Sequence, residues 1–383
     1  MTLPKRLLFY TDAAEYGGHE AMTVEAAQHF AASNRDIAVA FAFYGKNDRL
    51  SKKLVEIKNS FGNLELHPLQ LRSQSLQSCR TLISPGKVNT IKVLMKRIRP
   101  DVVVVSQGRI ESGSMGLLAA KRAGLHTITY IPMAHHTSIS GKPFATEFRE
   151  RVNGYFYRLP DKIITISEGA RRMLLARGAT PDVVVVPNGV EVRTIREPER
   201  ETFRGAHGIQ RHDYVVAVVG RIDFRQKAQD FAVQAIARFR RELANCRFLF
   251  IGGGPDERQL RTMIANSDLT ERVQVLPWSD NPAEIYAGID MLLIPSRFEG
   301  VPLVMLEAMS CGLPVVASNV DGMAELLPEG WLFPRGNSRA MMDTLLCVKN
   351  SDYAALAESN RDLVSREFSV ARFCTKFSEA VLT

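Results

Sequence analysis

The sequence predicts an α/β protein of two doubly wound parallel-sheet domains, and three observations carry that prediction. At 383 residues the chain exceeds the roughly 250–300 at which single hydrophobic cores stop growing. Short β-branched runs alternate with longer amphipathic stretches, which is the pattern of βαβ units. Several of those runs are apolar at nearly every position, as strands are when helices cover both faces of their sheet.

In the first half the strand candidates are 6–11, 37–43, 102–106, 126–131, 162–166 and 183–186, with valine filling 102–105 and 183–186. The alternation restarts at 215–219, 247–251, 273–276, 291–294, 314–317 and 331–333. Between the two sets, Pro187-Asn188-Gly189 makes a turn and 193–204 is densely charged with no sustained apolar stripe. The boundary therefore falls within 188–210, giving domains of 1–190 and 191–361. The last segment, from about 362 to 383, has apolar residues at helical spacing and could pack back onto the first domain or stay with the second.

Composition narrows the function classes. The chain is 45% hydrophobic and 23% charged, and no apolar run approaches the roughly 18 residues of a membrane span. After Lys5 and Arg6 the apolar stretch 7–10 is too short for a signal-peptide core of roughly 7 to 15 residues, so export is not expected. Five cysteines, widely spread and without a Cys-x-x-Cys pair, argue against a disulfide framework or a zinc site and fit a reducing cytoplasm. The net charge of +8 divides unevenly, as +11 in residues 1–190 and −3 in the remainder. A basic first half suits an anionic partner, whether a phospholipid surface, a phosphorylated acceptor or nucleic acid; a merely solubilising surface is the alternative.

In open α/β sheets, ligands lie beyond the carboxyl ends of the strands, so the loops there are the candidate sites. Gly17-Gly18-His19-Glu20 follows the first strand and opens a helix, where paired glycines let backbone amides approach a ligand or simply make a turn. After the strand ending at Val219, Gly220-Arg221 and then Lys227 could clamp a diphosphate, Arg by a planar fork and Lys by a point charge, or simply lie on the surface, as Lys and Arg mostly do. The loops Gly252-Gly253-Gly254 and Pro277-Trp278 end two further strands, and Trp278 could stack on a base or serve as packing.

The segment 294–312 is the most informative. A strand ends near Ile294, a loop carries Glu299, and a helix is expected from Pro302 with its exit at Gly312. Amides at Gly300, Val301 and Leu303 would then form an anion site built from backbone. Glu307 lies in an apolar stretch of that helix, where an unpaired carboxylate is costly and needs donors such as sugar hydroxyls. The alternative is that Glu307 pairs with a core arginine and Glu299 caps the helix.

Taken in order, Gly17-Gly18-x-Glu20, Pro187-Asn188-Gly189-Val190, Gly220-Arg221 with Lys227, and Glu299-x7-Glu307 followed by Ala308 and Gly312 resemble the family 4 retaining glycosyltransferases of the GT-B fold. The resemblance implies two Rossmann-like domains facing across a cleft, the second holding a nucleotide sugar and the first an acceptor. It implies that Arg221 and Lys227 bind the diphosphate, that Glu307 binds ribose, and that Glu299 with Gly300, Val301, Pro302 and Leu303 holds the transferred sugar and phosphate. Gly17 and Gly18 would close over donor or acceptor, Glu20 would face the acceptor, and the base would lie near Gly252, Gly253, Pro277 and Trp278. His135 or His136, after a first-domain strand, would hydrogen-bond near the transferred sugar. Ala228 departs from the family, many of whose members have glycine there, which puts the local turn in doubt.

With no Asp-x-Asp in the chain, no metal or other cofactor is expected. The implied function is retaining, metal-independent transfer of a hexose, from a UDP-sugar first and a GDP-sugar next, to a saccharide or lipid-linked saccharide in polysaccharide biosynthesis. The expected setting is the cytoplasm, with peripheral attachment to an anionic membrane face and no nucleic-acid partner. Rival readings are a GT-B epimerase or phosphorylase and a non-catalytic nucleotide-sugar-binding protein. A nicotinamide oxidoreductase is disfavoured because Glu257 stands where Gly-x-Gly-x-x-Gly needs its third glycine.

Overall fold

The computed structural model describes residues 4–33, 36–135, 143–279 and 281–383. They divide into two compact units, Met1–Gly189 with Val370–Thr383, and Val190–Ser369.

The first unit is a seven-stranded sheet of β1 (Arg6–Thr11), β2 (Ala38–Tyr44), β3 (Leu64–Leu69), β4 (Val102–Ser106), β5 (His126–Tyr130), β6 (Lys162–Thr165) and β7 (Asp182–Val185), in the order β3-β2-β1-β4-β5-β6-β7. Every pairing is parallel. The run Val102–Ser106 is buried throughout, as a central strand covered on both faces must be. The sequence reading missed β3, because Pro68 and Glu65 break its apolar pattern. Its place at the sheet edge resolves the conflict: a proline without an N–H is tolerated where only one neighbour must be bonded.

The second unit repeats the plan with β8 (Tyr214–Val219), β9 (Cys246–Ile251), β10 (Val273–Leu276), β11 (Met291–Ile294), β12 (Val315–Ser318) and β13 (Leu332–Phe333), ordered β10-β9-β8-β11-β12-β13 and all parallel. Trp331, expected at a strand start, instead ends the 3-10 turn Glu329–Trp331, leaving β13 two residues long. In both sheets the strand order reverses beside the first strand of the unit, at β1/β4 and at β8/β11. Those switch points open the crevices where ligands of doubly wound folds bind.

The segment expected from about 362 as one helix is divided. The helix Ala354–Glu367 belongs to the second unit, and the chain returns to the first at Val370 rather than near 362. Val190 N donates to Phe368 O at 2.8 Å, and Val190 pairs with Ser369 in an isolated parallel bridge. The returning helix Val370–Leu382 buries Phe373, Cys374 and Phe377. Phe377 meets Tyr130 edge-on at 5.8 Å between centroids, and Lys162 Nζ donates to Ala380 O at 2.9 Å near the helix C-terminus, where a cation suits the dipole.

Candidate functional site

In the second unit the expected residues converge at the carboxyl ends of β8 and β11. Beyond Val219 the chain turns at Gly220, whose φ of 137° only glycine adopts readily. Arg221 follows with an exposed side chain, its carbonyl held by Gln229 Nε2 at 2.8 Å. Asp223 caps the short helix Phe224–Lys227, accepting from Arg225 N at 3.1 Å. Ala228, whose lack of a glycine put this turn in doubt, takes the left-handed conformation at φ 54° all the same.

That turn delivers Lys227 to Glu299, Nζ to Oε1 at 2.6 Å. Glu299 is 4% exposed and held from several sides. Ser296 Oγ donates to its Oε1 at 2.7 Å and Gln226 Nε2 to its Oε2 at 3.4 Å, while its own amide donates to Asp321 Oδ2 at 2.8 Å. A buried carboxylate held this way keeps one orientation and accepts hydrogen bonds in fixed directions. Arg297 fastens the Lys227 turn from below, its Nη1 and Nη2 on Asp230 at 3.2 and 3.0 Å, its Nη1 on Phe224 O and its amide on Gln226 O at 2.7 Å.

The helix after this loop runs Leu303–Ser310, with Pro302 as its N-cap rather than its first residue and no side chain capping it. Neither alternative for the two glutamates holds. Glu299 pairs with Lys227 instead of capping, and Glu307 Oε2 accepts from Tyr286 Oη at 2.6 Å rather than meeting a core arginine. Burial pushes the Glu307 carboxyl above its usual range, countered by the Tyr286 hydroxyl and the charge of Arg193. Gly300 packs against Gly322, where a Cβ would lie 2.6 Å from Gly300 O. Gly252 and Gly254 likewise permit close backbone approach: a Cβ on either would collide with the Gly220 or Ile222 backbone, and Ile222 N donates to Gly253 O at 3.0 Å. Pro277 is exposed and Trp278 half-buried just past β10.

In the first unit, Gly17 N donates to Glu20 Oε2 at 2.8 Å, and His19 pairs with the other carboxylate oxygen. Glu20, expected to face the acceptor, is 1% exposed, so it braces the Gly17-Gly18 loop from inside. The His19 ring lies over Gly108, where a Cβ would sit 2.6 Å away. Thr23 and Ser106 hydroxyls meet at 2.7 Å across the β1/β4 crevice. Asp12, which the motifs did not single out, is buried and accepts from Gly113 N at 2.8 Å. His135 is half-buried in the loop after β5, and His136 lies outside the described residues.

Sequence reasoning missed Tyr286, Asp321, Arg297 and Asp12. Asp321 carries the one retrievable signal, an Asp-Gly pair just after a strand, which marks a turn. Among the described residues, no group of three or more His, Cys, Asp or Glu could hold a metal ion, and no helix is long and apolar enough to cross a membrane.

Two family models match the chain: "Glycosyl transferase 4-like domain" over residues 17–189 and "Glycosyl transferases group 1" over 213–358. The lipopolysaccharide 1,6-galactosyltransferase of Salmonella typhimurium is 26% identical over 325 residues, covering 82% of this chain and 80% of that protein. A D-inositol 3-phosphate glycosyltransferase of Acidothermus cellulolyticus is 31% identical over 242 residues, 57% of this chain and 52% of the relative. Apart from the galactosyltransferase, the chain spans about half the length of the first curated relatives it matches. The crystal structure of Anabaena HepE in complex with UDP and glucose superposes with a TM-score of 0.79 at 18% identity, covering 97% of this chain and 98% of that one, which bears on the fold. Two parallel sheets, the ordered motifs at their switch points and both family models lead to one assignment: the chain belongs to the family 4 glycosyltransferases of the GT-B fold.

Proposed function

We propose that the chain is a retaining, metal-independent hexosyltransferase that moves a hexose from a nucleotide sugar, a UDP-sugar first, to a saccharide or lipid-linked saccharide. The observation that carries this reading is the Lys227–Glu299 pair at the β8/β11 switch point, a cation and an oriented carboxylate side by side in a crevice suited to a nucleotide. The name of the Salmonella relative, a saccharide-directed galactosyltransferase, and the UDP and glucose in the HepE complex support the donor and acceptor classes.

In the proposed reaction the bond from the sugar's anomeric carbon to the diphosphate oxygen breaks and a bond to the acceptor oxygen forms on the same face. The acceptor's proton passes to the departing phosphate. Negative charge grows on that phosphate, so Lys227 and the exposed Arg221 stabilise the transition state more than the ground state. Glu299, prevented from turning by Ser296 and Gln226, accepts hexose hydroxyls, and Glu307 accepts those of the ribose. His135 or His136 donates a hydrogen bond to the hexose. The +11 charge of residues 1–190 supports work at an anionic, cytoplasmic membrane face; failure to sediment with phosphatidylglycerol vesicles at low salt would remove that setting.

Losing one donor to the developing charge typically costs about 3–4 kcal/mol of barrier. Lys227→Ala is therefore expected to lower UDP release from UDP-hexose by about two to three orders of magnitude with EDTA present and folding intact. Full turnover in that variant would remove the diphosphate role of Lys227, loss of wild-type activity to EDTA would remove metal independence, and an inverted anomeric signal in the product's NMR spectrum would remove retention. Donor binding without transfer to any saccharide would favour the binding-protein alternative.

A further inference from the structure

The first unit holds a cavity of about 210 Å³ that none of the residues above lines. Tyr44 at the end of β2, the 70–74 loop after β3, the helix Gln77–Leu82, the start of the helix Pro85–Ile98 and Met115 enclose it. Arg72, Arg80 and Lys87 line the cavity, and among the described residues no aspartate or glutamate does. Neither Arg72 nor Lys87 has a hydrogen-bond or ion-pair partner among the described residues. Arg80 donates from Nε to Ser75 O at 3.0 Å.

Three cations thus face one hollow with no carboxylate lining it, unlike exposed pairs such as Lys53–Glu56 and Arg151–Glu147, where an opposite charge lies alongside. Like charges repel across such a hollow, and an anion in it turns repulsion into attraction. The polar wall suits the same occupant. Gln77 is 1% exposed and its Oε1 accepts from Gln74 N at 3.0 Å, while its Nε2 reaches Thr81 Oγ1 only at 3.4 Å. Leu76, just before it, is the N-cap of this helix and takes the left-handed conformation at φ 57°. At the other wall, Ser84 caps the helix Pro85–Ile98 without using its side chain, leaving that helix's positive end unneutralised.

The cavity adjoins the loop after β1. Ser73 N donates to Asp12 O at 2.7 Å and Asn47 Nδ2 to Ala13 O at 3.1 Å, so its walls are tied to the chain that runs on into Gly17-Gly18. Whole small ligands usually occupy about 300–1,000 Å³. A smaller cavity rich in cations suits one charged group of a larger molecule.

We propose that this cavity is an anion subsite that holds a phosphate group carried by the acceptor. The acceptor role rests on the transferase reading, whereas anion binding by Arg72, Arg80 and Lys87 is measurable without any transfer. The phosphate could belong to a soluble sugar phosphate or to a lipid headgroup, and the experiment separates the two.

Met115 supplies a reporter at the cavity wall. In the full chain labelled with [13C]methyl-methionine, inorganic phosphate is expected to shift the Met115 signal saturably. The double variant Arg72→Gln/Lys87→Gln, changed only at exposed side chains, should weaken that response at least tenfold, and Lys227→Ala should leave it unchanged. A Met115 signal that ignores phosphate, or responds equally in the double variant, overturns the subsite. A hexose 6-phosphate shifting Met115 at lower concentration than inorganic phosphate identifies a soluble phosphorylated acceptor, and phosphatidic acid vesicles doing so identify a lipid. If neither does, the acceptor assignment is overturned. Absence of UDP release from UDP-hexose by the wild-type protein, with the Met115 response intact, would sink the transferase reading and leave the anion site standing.

Discussion

Two residues hold conformations or charges that cost stability. Burial pushes the Asp12 carboxyl up to about 6 from its ordinary 3.8, reinforced by Glu20 and opposed by the Gly113 and Asp12 amides and by His19. A carboxyl with a raised folded-state pKa holds its proton more tightly in the native state, so its contribution to stability is full below about pH 4 and declines as the pH rises to about 6. At 1.36 kcal/mol per unit the difference is about 3 kcal/mol. Asp12→Asn keeps an oxygen for Gly113 N, so it should raise the melting temperature at pH 7 and flatten its pH dependence between 4 and 6. A lower melting temperature at pH 7 would mean that the ionised carboxylate's hydrogen bonds outweigh its burial. Ala228 carries a backbone cost, since the left-handed conformation disfavours a residue with a Cβ by roughly 1–2 kcal/mol. Ala228→Gly should therefore stabilise the protein by about 1 kcal/mol in denaturant unfolding, part of the relief being offset by greater unfolded-state entropy. No gain would mean that the Arg297 clamp already absorbs the strain.

At the scale of elements, the candidate donor site is a set of loops pressed together by missing side chains. The loop after β9 lies against the loop after β8 because Gly252 and Gly254 have no Cβ to intrude on Gly220 and Ile222. Gly254→Ala forces the two apart, and overpacking of this kind costs typically 1–3 kcal/mol. The expected outcome is a lower melting temperature together with weaker UDP binding by calorimetry, since Gly220 and Arg221 move with the loop. Unchanged UDP affinity would mean that this contact does not position the diphosphate residues. The turn that brings Lys227 to Glu299 shows the same dependence on neighbours: Asp223 starts it, Ala228 ends it and Arg297 holds it to the strand-end loop that carries Glu299.

At the scale of the molecule, the returning helix makes the first unit depend on the last residues of the chain. Phe373, Phe377 and Val381 are buried in it, and losing one buried phenylalanine costs typically 3–5 kcal/mol. A domain's whole stability is about 5–15 kcal/mol. Removing 370–383 should therefore abolish the first unit's cooperative unfolding in calorimetry while a transition raised by UDP persists for Val190–Ser369. Retention of both transitions would show that the helix is dispensable.

The sequence alone determined the alternation of strands and helices, since central strands must be apolar on both faces, and it marked the strand-end loops, since Gly220, Glu299 and Glu307 stand out against apolar surroundings. It could not show that Tyr286 holds Glu307, that Asp321 holds the Glu299 amide, or that Arg72, Arg80 and Lys87 share a cavity with Met115. Local pattern is readable because helix and strand periodicity act over a few residues. Which distant side chains meet is decided by sheet order, and only the folded structure sets β11 beside β8 and brings the ends of β2 and β3 to the start of a later helix.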